Sequence, residues 1–374
     1  MPKITRPAVA EIDLRLIAAN LKAIKRKVGP SVKILGVVKA NAYGHGMVEV
    51  SRFISNGLVD SLGVATAEEG VILRNTGLRK PILVFTLPSE PQVKAIVQHG
   101  LEATVCSPVE ARTLQQEAER RRRKVAVHLK IETGMNRIGI TPSGLPVLLK
   151  SLSHMKRLEI VGVYTHFAQA DIADKSYTHE QLSRFTNALD ILKTHGIEPE
   201  VIHTANSAGI LDLPESHFTM VRPGIMMYGY YPSEHVSRSV RVKPALTLSC
   251  KVSFVKRIEA GETVSYGRLF KATAPAWIAT LPIGYADGYF RLLTGKSAVL
   301  IKGKKHPVAG RICMDQIMVD LGDVKIAVGE KAILIGSQGA CRIDASDLSS
   351  LIGTIPYEIL TNISSRVPRT YLPS

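Results

Sequence analysis

Short apolar runs separated by amphipathic stretches set the rhythm of the first two thirds of the chain. The runs fall at 34–38, 62–65, 82–85, 103–106, 125–131, 160–165, 201–204 and 218–221. Each is too short for a helix and most are rich in Val, Ile and Leu, the mark of buried strands. Between them, apolar positions step by three or four. Ahead of the first run, Leu14, Ile17, Leu21, Ile24 and Val28 form one such stripe behind Asp13, a residue suited to an N-cap. Near-continuous apolar strands alternating with helices predict a parallel sheet covered on both faces. Eight strand–helix units predict a (β/α)8 barrel; a doubly wound open sheet is the alternative, and the count favours the barrel. After residue 240 the pattern changes. Runs at 245–255, 277–282, 298–301, 317–321 and 331–335 are separated by turn residues such as Asp-Gly and Val-Gly, with no long helical period. This predicts a β-rich second domain. The expected organisation is a barrel over 1–240 and a strand-rich domain over 241–374, joined at 240–244.

Composition changes this picture little. Apolar residues make up 45% of the 374 positions and charged residues 21%, an ordinary globular balance. Lys and Arg number 48 against 32 Asp and Glu, a net charge of +16. That charge raises nucleic acid as a partner. However, aromatics are only 5%, no nucleic-acid motif occurs, and the densest basic run, Arg120 to Lys124, ends a helix-like stretch, where cations are favoured. Nucleic acid is therefore not an expected partner. No apolar run approaches the ~20 residues of a membrane span. The start, MPKITRPAVAEIDLR, lacks the features of a signal peptide. The four cysteines show neither disulfide density nor zinc spacing. A cytoplasmic protein without a metal site is expected. Gly295-Lys296-Ser297 resembles the end of a P-loop, but Phe290 stands where that motif needs glycine.

In a barrel of this kind, function gathers at the C-terminal ends of the strands. The predicted strand ends carry reactive side chains. Lys39 closes the first, Lys130 and Arg137 follow the fifth, and His166 the sixth. His203 and Ser207 follow the seventh, and Arg222, Gly224 and Ile225 the eighth. A lysine ending a buried strand either marks where the chain meets water or serves as a Schiff-base amine activated by partial desolvation. The loops after strands seven and eight are the usual phosphate site of such barrels, and Ser207 and Gly224 lie there. A Schiff-base lysine with a phosphate site points to pyridoxal 5′-phosphate.

The string VVKANAYGHG (37–46) resembles the lysine motif of the alanine racemases. The resemblance runs along the chain through GMNRIGI (134–140), YTHFAQAD (164–171), HTANSAG (203–209), VRPGIMMYG (221–229), VSYG (264–267), GYADGY (284–289), GRICMDQ (310–316) and IPYEILT (355–361). It implies a pyridoxal-phosphate barrel, a β-rich C-terminal domain and a head-to-tail homodimer whose sites are shared between subunits. It also implies racemisation of alanine, a small amino-acid substrate, to supply D-alanine for peptidoglycan. On that resemblance Lys39 holds the cofactor and acts as one of two opposed bases. Tyr266 of the partner is the other, linked through His166 to Arg222, which faces the pyridine nitrogen. Arg137 contacts the cofactor and the substrate carboxylate, and Lys130 occupies the place where the family often carries a carbamylated lysine. Tyr43, Ser207, Gly224, Ile225 and Tyr357 contact the phosphate. Met314 and Asp315 of the partner border the substrate carboxylate. Asn136 stands where some members have glycine. A decarboxylase of the same fold type would place an acidic partner at Arg222, and a non-catalytic pyridoxal-phosphate carrier would lack the second domain.

Overall fold

The computed structural model describes residues 6–372; the first five residues of the N-terminal stretch read above, and the last two of the chain, lie outside the described residues. The described residues divide into two compact units. One comprises Ile17–Ala42 and Met47–Lys243. The other comprises the chain up to Leu16, the strap Tyr43–Gly46 and the chain from Pro244 onward.

The first strand, β1 (Ala8–Asp13), belongs to the second unit. The barrel starts with β2 (Lys33–Val37) and continues through β3 (Ser61–Val64), β4 (Ile82–Val84), β5 (Glu102–Val105), β6 (Val125–Lys130), β7 (Leu158–Tyr164), β8 (Val201–His203) and β9 (Met220–Val221). Every adjacent pair from β2 to β8 is parallel, and β9 returns to pair with β2. The seam between β8 and β9 is drawn together by Thr219 N–H donating to Ile202 C=O at 3.2 Å. The eight apolar runs are therefore the eight strands of a nearly closed parallel barrel. Leu62, Ile82, Leu83, Ala103, Val127 and Leu129 are wholly buried in it, each large one contributing on the order of 1.5–3 kcal/mol through removal from water.

Local signals fix the covering helices. Helix Pro108–Arg120 shows the pattern: Ser107 caps it, Glu110 completes a capping box and Pro108 occupies the first turn. It stops where Arg122 turns left-handed. The basic run at its end is held by ion pairs of Arg120 and Arg121 with Glu117 and of Lys124 with Glu159.

In the second unit a mixed sheet follows the order β16-β15-β18-β10-β1-β20, with β19 on β18. Its strands are β10 (Leu246–Lys251), β15 (Ala298–Ile301), β16 (Lys304–Pro307), β18 (Lys331–Gln338), β19 (Cys341–Ile343) and β20 (Arg369–Leu372). A smaller sheet joins β11 (Phe254–Ile258), β14 (Ala276–Leu281) and β17 (Ile317–Asp320), beside a hairpin of β12 (Thr263–Val264) and β13 (Phe270–Lys271). The structure differs from the contiguous division at 240/241. The chain changes unit at Lys243/Pro244, and β1 joins the strand-rich unit. The reason lies in the alternation along β1: Ala8, Ala10 and Ile12 are fully buried while Val9, Glu11 and Asp13 are partly exposed. This two-faced pattern suits antiparallel pairing with β10 and parallel pairing with β20, and does not suit a barrel strand buried on both sides.

Asp287 anchors a turn of this unit. Its carboxylate is fully buried, accepts from Gly284 N–H at 2.9 Å, and meets Arg6 at 2.5 Å and Arg366 at 3.4 Å. Asp287→Ala leaves the buried Gly284 N–H without its acceptor, while Arg6 and Arg366 still reach water, and is expected to cost about 1–3 kcal/mol, read as a lowered urea midpoint.

Candidate active site

Beyond β2 the backbone does something the sequence does not announce. Ala40, Asn41, Ala42 and Tyr43 have φ of 52°, 54°, 54° and 52°, a left-handed turn without a glycine. Each such residue costs roughly 1–2 kcal/mol relative to the right-handed form. Specific bonds hold the turn in place. The Glu69 carboxylate accepts from Ala40 N–H and Ala65 N–H, both at 2.7 Å, and Asn41 Oδ1 accepts from Met47 N–H at 2.8 Å. Strain concentrated in this way is common at functional sites. It aims Lys39 from the end of β2.

Lys39 is pushed below the ordinary lysine range by burial and by the charges of Arg137 and Arg222, with Glu69 opposing. Lys130, at the end of β6, is 3% exposed and lies over the Tyr164 ring at 4.9 Å. No carboxylate pairs with it among the described residues. Burial, then Arg222 and Arg137, hold its amine well below the usual range.

Arg222 follows β9 and is the hub. Nη1 donates to His203 C=O (2.7 Å) and His203 Nδ1 (2.9 Å). Nη2 donates to Thr165 C=O (2.8 Å), Thr204 C=O (2.9 Å) and His166 Nδ1 (3.2 Å). None of these bonds uses Nε–H. Burial lowers this guanidinium to about 10, which still leaves it cationic near neutrality. A cation that only donates makes both Nδ1 atoms acceptors, so the proton of each neutral imidazole sits on Nε2. Removal from water, then Arg222, keeps His203 and His166 well below the ordinary histidine range; Lys130, Arg137 and Lys39 add to the effect at His166.

Ser207 opens the helix Ser207–Asp212, which Asn206 caps by accepting from Ala208 and Gly209. The Ser207 hydroxyl accepts from Gly224 N–H (3.2 Å) and Met226 N–H (3.4 Å), so three polar groups converge beside the buried Ile225. In the loop after β6, Asn136 has φ 54°, a conformation Asn adopts readily, and Arg137 is exposed.

The remaining candidates lie in the second unit. Tyr43 is buried, with its ring 5.9 Å from that of Tyr357. Tyr266 is 70% exposed and lines a groove of about 720 Å³ with Phe254, Cys313, Met314 and Asp315. Ser265 precedes it with φ 68° and ψ 179°, a region almost reserved for glycine, and its hydroxyl donates to Arg311 C=O at 2.6 Å. Asp315 pairs with Arg366 at 2.6 Å. Sequence reasoning missed Glu69, Glu102 and His128. His128 was within reach of it, since it lies two residues before Lys130 on a strand and therefore on the same face.

The neutral histidines have a pH consequence. An unfolded chain binds their protons below about pH 6.5, whereas the folded protein does not. Their folded values are depressed bases, so stability is full above about 6.5 and falls as pH drops below it. For the fully buried His203 the slope approaches about 1.4 kcal/mol per pH unit. Urea midpoints are expected to fall steadily between about pH 7 and pH 5; a flat profile contradicts the assigned neutral state.

Comparison with known proteins places these features. The family model described as alanine racemase, N-terminal domain, matches residues 12–232, and that for the alanine racemase C-terminal domain matches 245–371. An alanine racemase of Clostridium novyi is 44% identical, covering 100% of this chain and 97% of the relative. One from Carboxydothermus hydrogenoformans is also 44% identical over 98% of this chain and 100% of its own length. Among solved structures, alanine racemase of Clostridium difficile superposes with a TM-score of 0.95 at 39% identity, covering 99% of this chain and 97% of that one. The Bacillus anthracis alanine racemase with bound L-Ala-P gives 0.94 at 37% identity, covering 99% and 96%. A parallel barrel followed by a strand-rich unit, with these relatives, defines an amino-acid racemase, an isomerase. The chain belongs to the alanine racemase family.

Proposed function

We propose that this enzyme interconverts L- and D-alanine using pyridoxal 5′-phosphate, with Lys39 and Tyr266 as opposed acid–base groups. The observation that carries the reading is Arg222: both Nη atoms are committed to the barrel, and its Nε–H is left for a ligand acceptor. The residues fit the cofactor. Lys39 has a desolvated amine of lowered basicity, the form that condenses with an aldehyde. Ser207 with the amides of Gly224 and Ile225 suits a phosphate, and the family resemblance assigns Tyr43 and Tyr357 to phosphate contacts as well. When bound, the cofactor supplies an electron sink for charge developing at the substrate α-carbon.

The chain's own residues do the rest. Arg222 keeps its protons, so a cofactor ring nitrogen held against its Nε–H would stay unprotonated. That restrains the sink and disfavours decarboxylation or transamination. His166, with its proton on Nε2, would donate toward the phenolic oxygen of the Tyr266 that the partner contributes. Lys39 moves a proton on one face of the α-carbon and Tyr266 on the other. Arg137 holds the substrate carboxylate, bordered by Met314 and Asp315. The Lys130 amine, its basicity lowered by burial, suits carbamylation by carbon dioxide with loss of a proton, which would turn it into an anion able to offset the charges of Arg137 and Arg222.

Exposure of Tyr266, Leu269 and Met314 on the second unit supports a head-to-tail homodimer in which that surface completes the partner's site. The four cysteines are unbridged, and no helix among the described residues is long and apolar enough to cross a membrane. The family resemblance alone carries the reading of a cytoplasmic enzyme making D-alanine for peptidoglycan. The test is incubation with pyridoxal phosphate and L-alanine in deuterated water, followed by chiral chromatography and mass analysis. Deuterated D-alanine is expected; unchanged L-alanine overturns the reading.

A further inference from the structure

A file of side chains crosses the barrel interior from the opposite end of its strands. Glu102 begins β5, at the end remote from the functional loops. Its Oε2 lies 3.0 Å from His128 Nε2; His128 Nδ1 lies 3.0 Å from His203 Nε2; and His203 Nδ1 takes the Arg222 Nη1 bond at 2.9 Å. His128 is 2% exposed and His203 not at all. Only one arrangement of protons satisfies every link. Arg222 donates, so His203 accepts at Nδ1 and donates from Nε2. His128 then accepts at Nδ1 and donates from Nε2, and a carboxylate must receive that last bond. A cation closes one end, an anion the other, and two neutral imidazoles lie between. The other groups beside the file are Tyr164, stacked on His203 at 4.8 Å, Lys130, and Arg74, whose charge acts on Glu102.

A second observation stands apart from the bonds. His128 on β6 reaches His203 on β8 across the intervening β7. Gly162 is the residue of β7 paired with His128, and a methyl group there would sit 2.2 Å from His128 Nδ1. The crossing exists because β7 has no side chain at that point.

We propose that Glu102 and His128 are positioning residues for Arg222, fixing through His203 the acceptor that holds the guanidinium square to the site. Removing the Glu102 acceptor leaves a buried N–H on His128. Shifting that proton to Nδ1 sets it against the Nε2–H of His203, and His203 escapes only by surrendering its bond to Arg222. This rests on the reading of Arg222 as the group facing the cofactor ring.

The test uses protein labelled with ¹⁵N at histidine, with and without pyridoxal phosphate, and long-range ¹H–¹⁵N spectra that report which ring nitrogen is protonated. His128 and His203 are expected as neutral Nε2–H tautomers in both forms; an Nδ1–H tautomer at either overturns the proposal. In kinetics, Glu102→Leu and Gly162→Ala are expected to lower kcat about tenfold with KM within about twofold. Glu102→Gln, whose amide oxygen still accepts, is expected to restore both kcat and the tautomers. Equal kcat in the Leu and Gln variants also overturns it. Should Glu102→Leu or Gly162→Ala fail to fold, the wild-type and Glu102→Gln spectra still decide. Tautomers are read without turnover, so a protein that does not racemise alanine leaves this question answerable on its own.

Discussion

Lys39→Ala is expected to lose racemisation by at least about 10⁴-fold, because the proposed mechanism gives this one lysine both the covalent attachment of the cofactor and one of the two proton transfers. The loss is visible before any kinetics, since protein mixed with pyridoxal phosphate and then gel-filtered no longer carries the absorption of the bound cofactor. Added amines partly restore proton transfer if the lysine acts as a base as well as an anchor. Substantial racemisation by the unsupplemented variant removes Lys39 from its assigned role. The geometry explains why a replacement elsewhere cannot substitute. The left-handed turn, bonded to Glu69, aims the end of β2, and the cations Arg137 and Arg222 keep the amine reactive.

Tyr266→Phe slows racemisation by roughly 10²–10⁴-fold. Two enantiomers have equal free energy, so kcat/KM must fall by one factor in both directions. Exchange of the α-proton with deuterated solvent need not. It persists for the enantiomer served by Lys39 and collapses for the other, and wild-type exchange in both contradicts the two-base scheme. Mixing the two inactive variants probes the assembly. In a head-to-tail dimer, half the mixed population is heterodimeric, and each heterodimer holds one intact site of two. Activity near a quarter of wild type is expected after subunit exchange. No recovery indicates that Lys39 and Tyr266 of one site come from the same chain.

The barrel was legible because its eight strands are buried on both faces and read as uninterrupted apolar runs. The reactive strand ends were legible for the same reason: polarity appears abruptly after 38, 165 and 221. β1 was not legible as part of the second unit. Its alternation names a two-faced strand, but its partners β10 and β20 lie about 240 and 360 residues away, and no local pattern encodes them. The turn at Ala40–Tyr43 was hidden because Asn41 alone among its residues tolerates positive φ readily, while Glu69, 29 residues on from Ala40, holds the Ala40 N–H from outside and Asn41 ties the turn to Met47. The resemblance supplied the roles of Tyr266, Met314 and Asp315, which sequence periodicity alone does not distinguish from packing.

The position of β1 has a temporal side. It is made well before either of its sheet partners, β10 about 240 residues later and β20 about 360 residues later. At about 5–20 residues per second one edge of this half-apolar strand waits roughly 12–50 s for its partner and the other roughly 20–70 s. Its backbone N–H and C=O groups are a template for other chains throughout that interval. Assembly of the second unit is therefore an after-synthesis event, slow by loop-closure entropy and sensitive to chaperone supply. A fragment beginning at Pro244 would lack a central strand of its own sheet. The barrel waits less, since β2 to β8 pair in sequence order and only closure of β2 on β9 spans about 190 residues, so the longest wait in producing this enzyme belongs to β1.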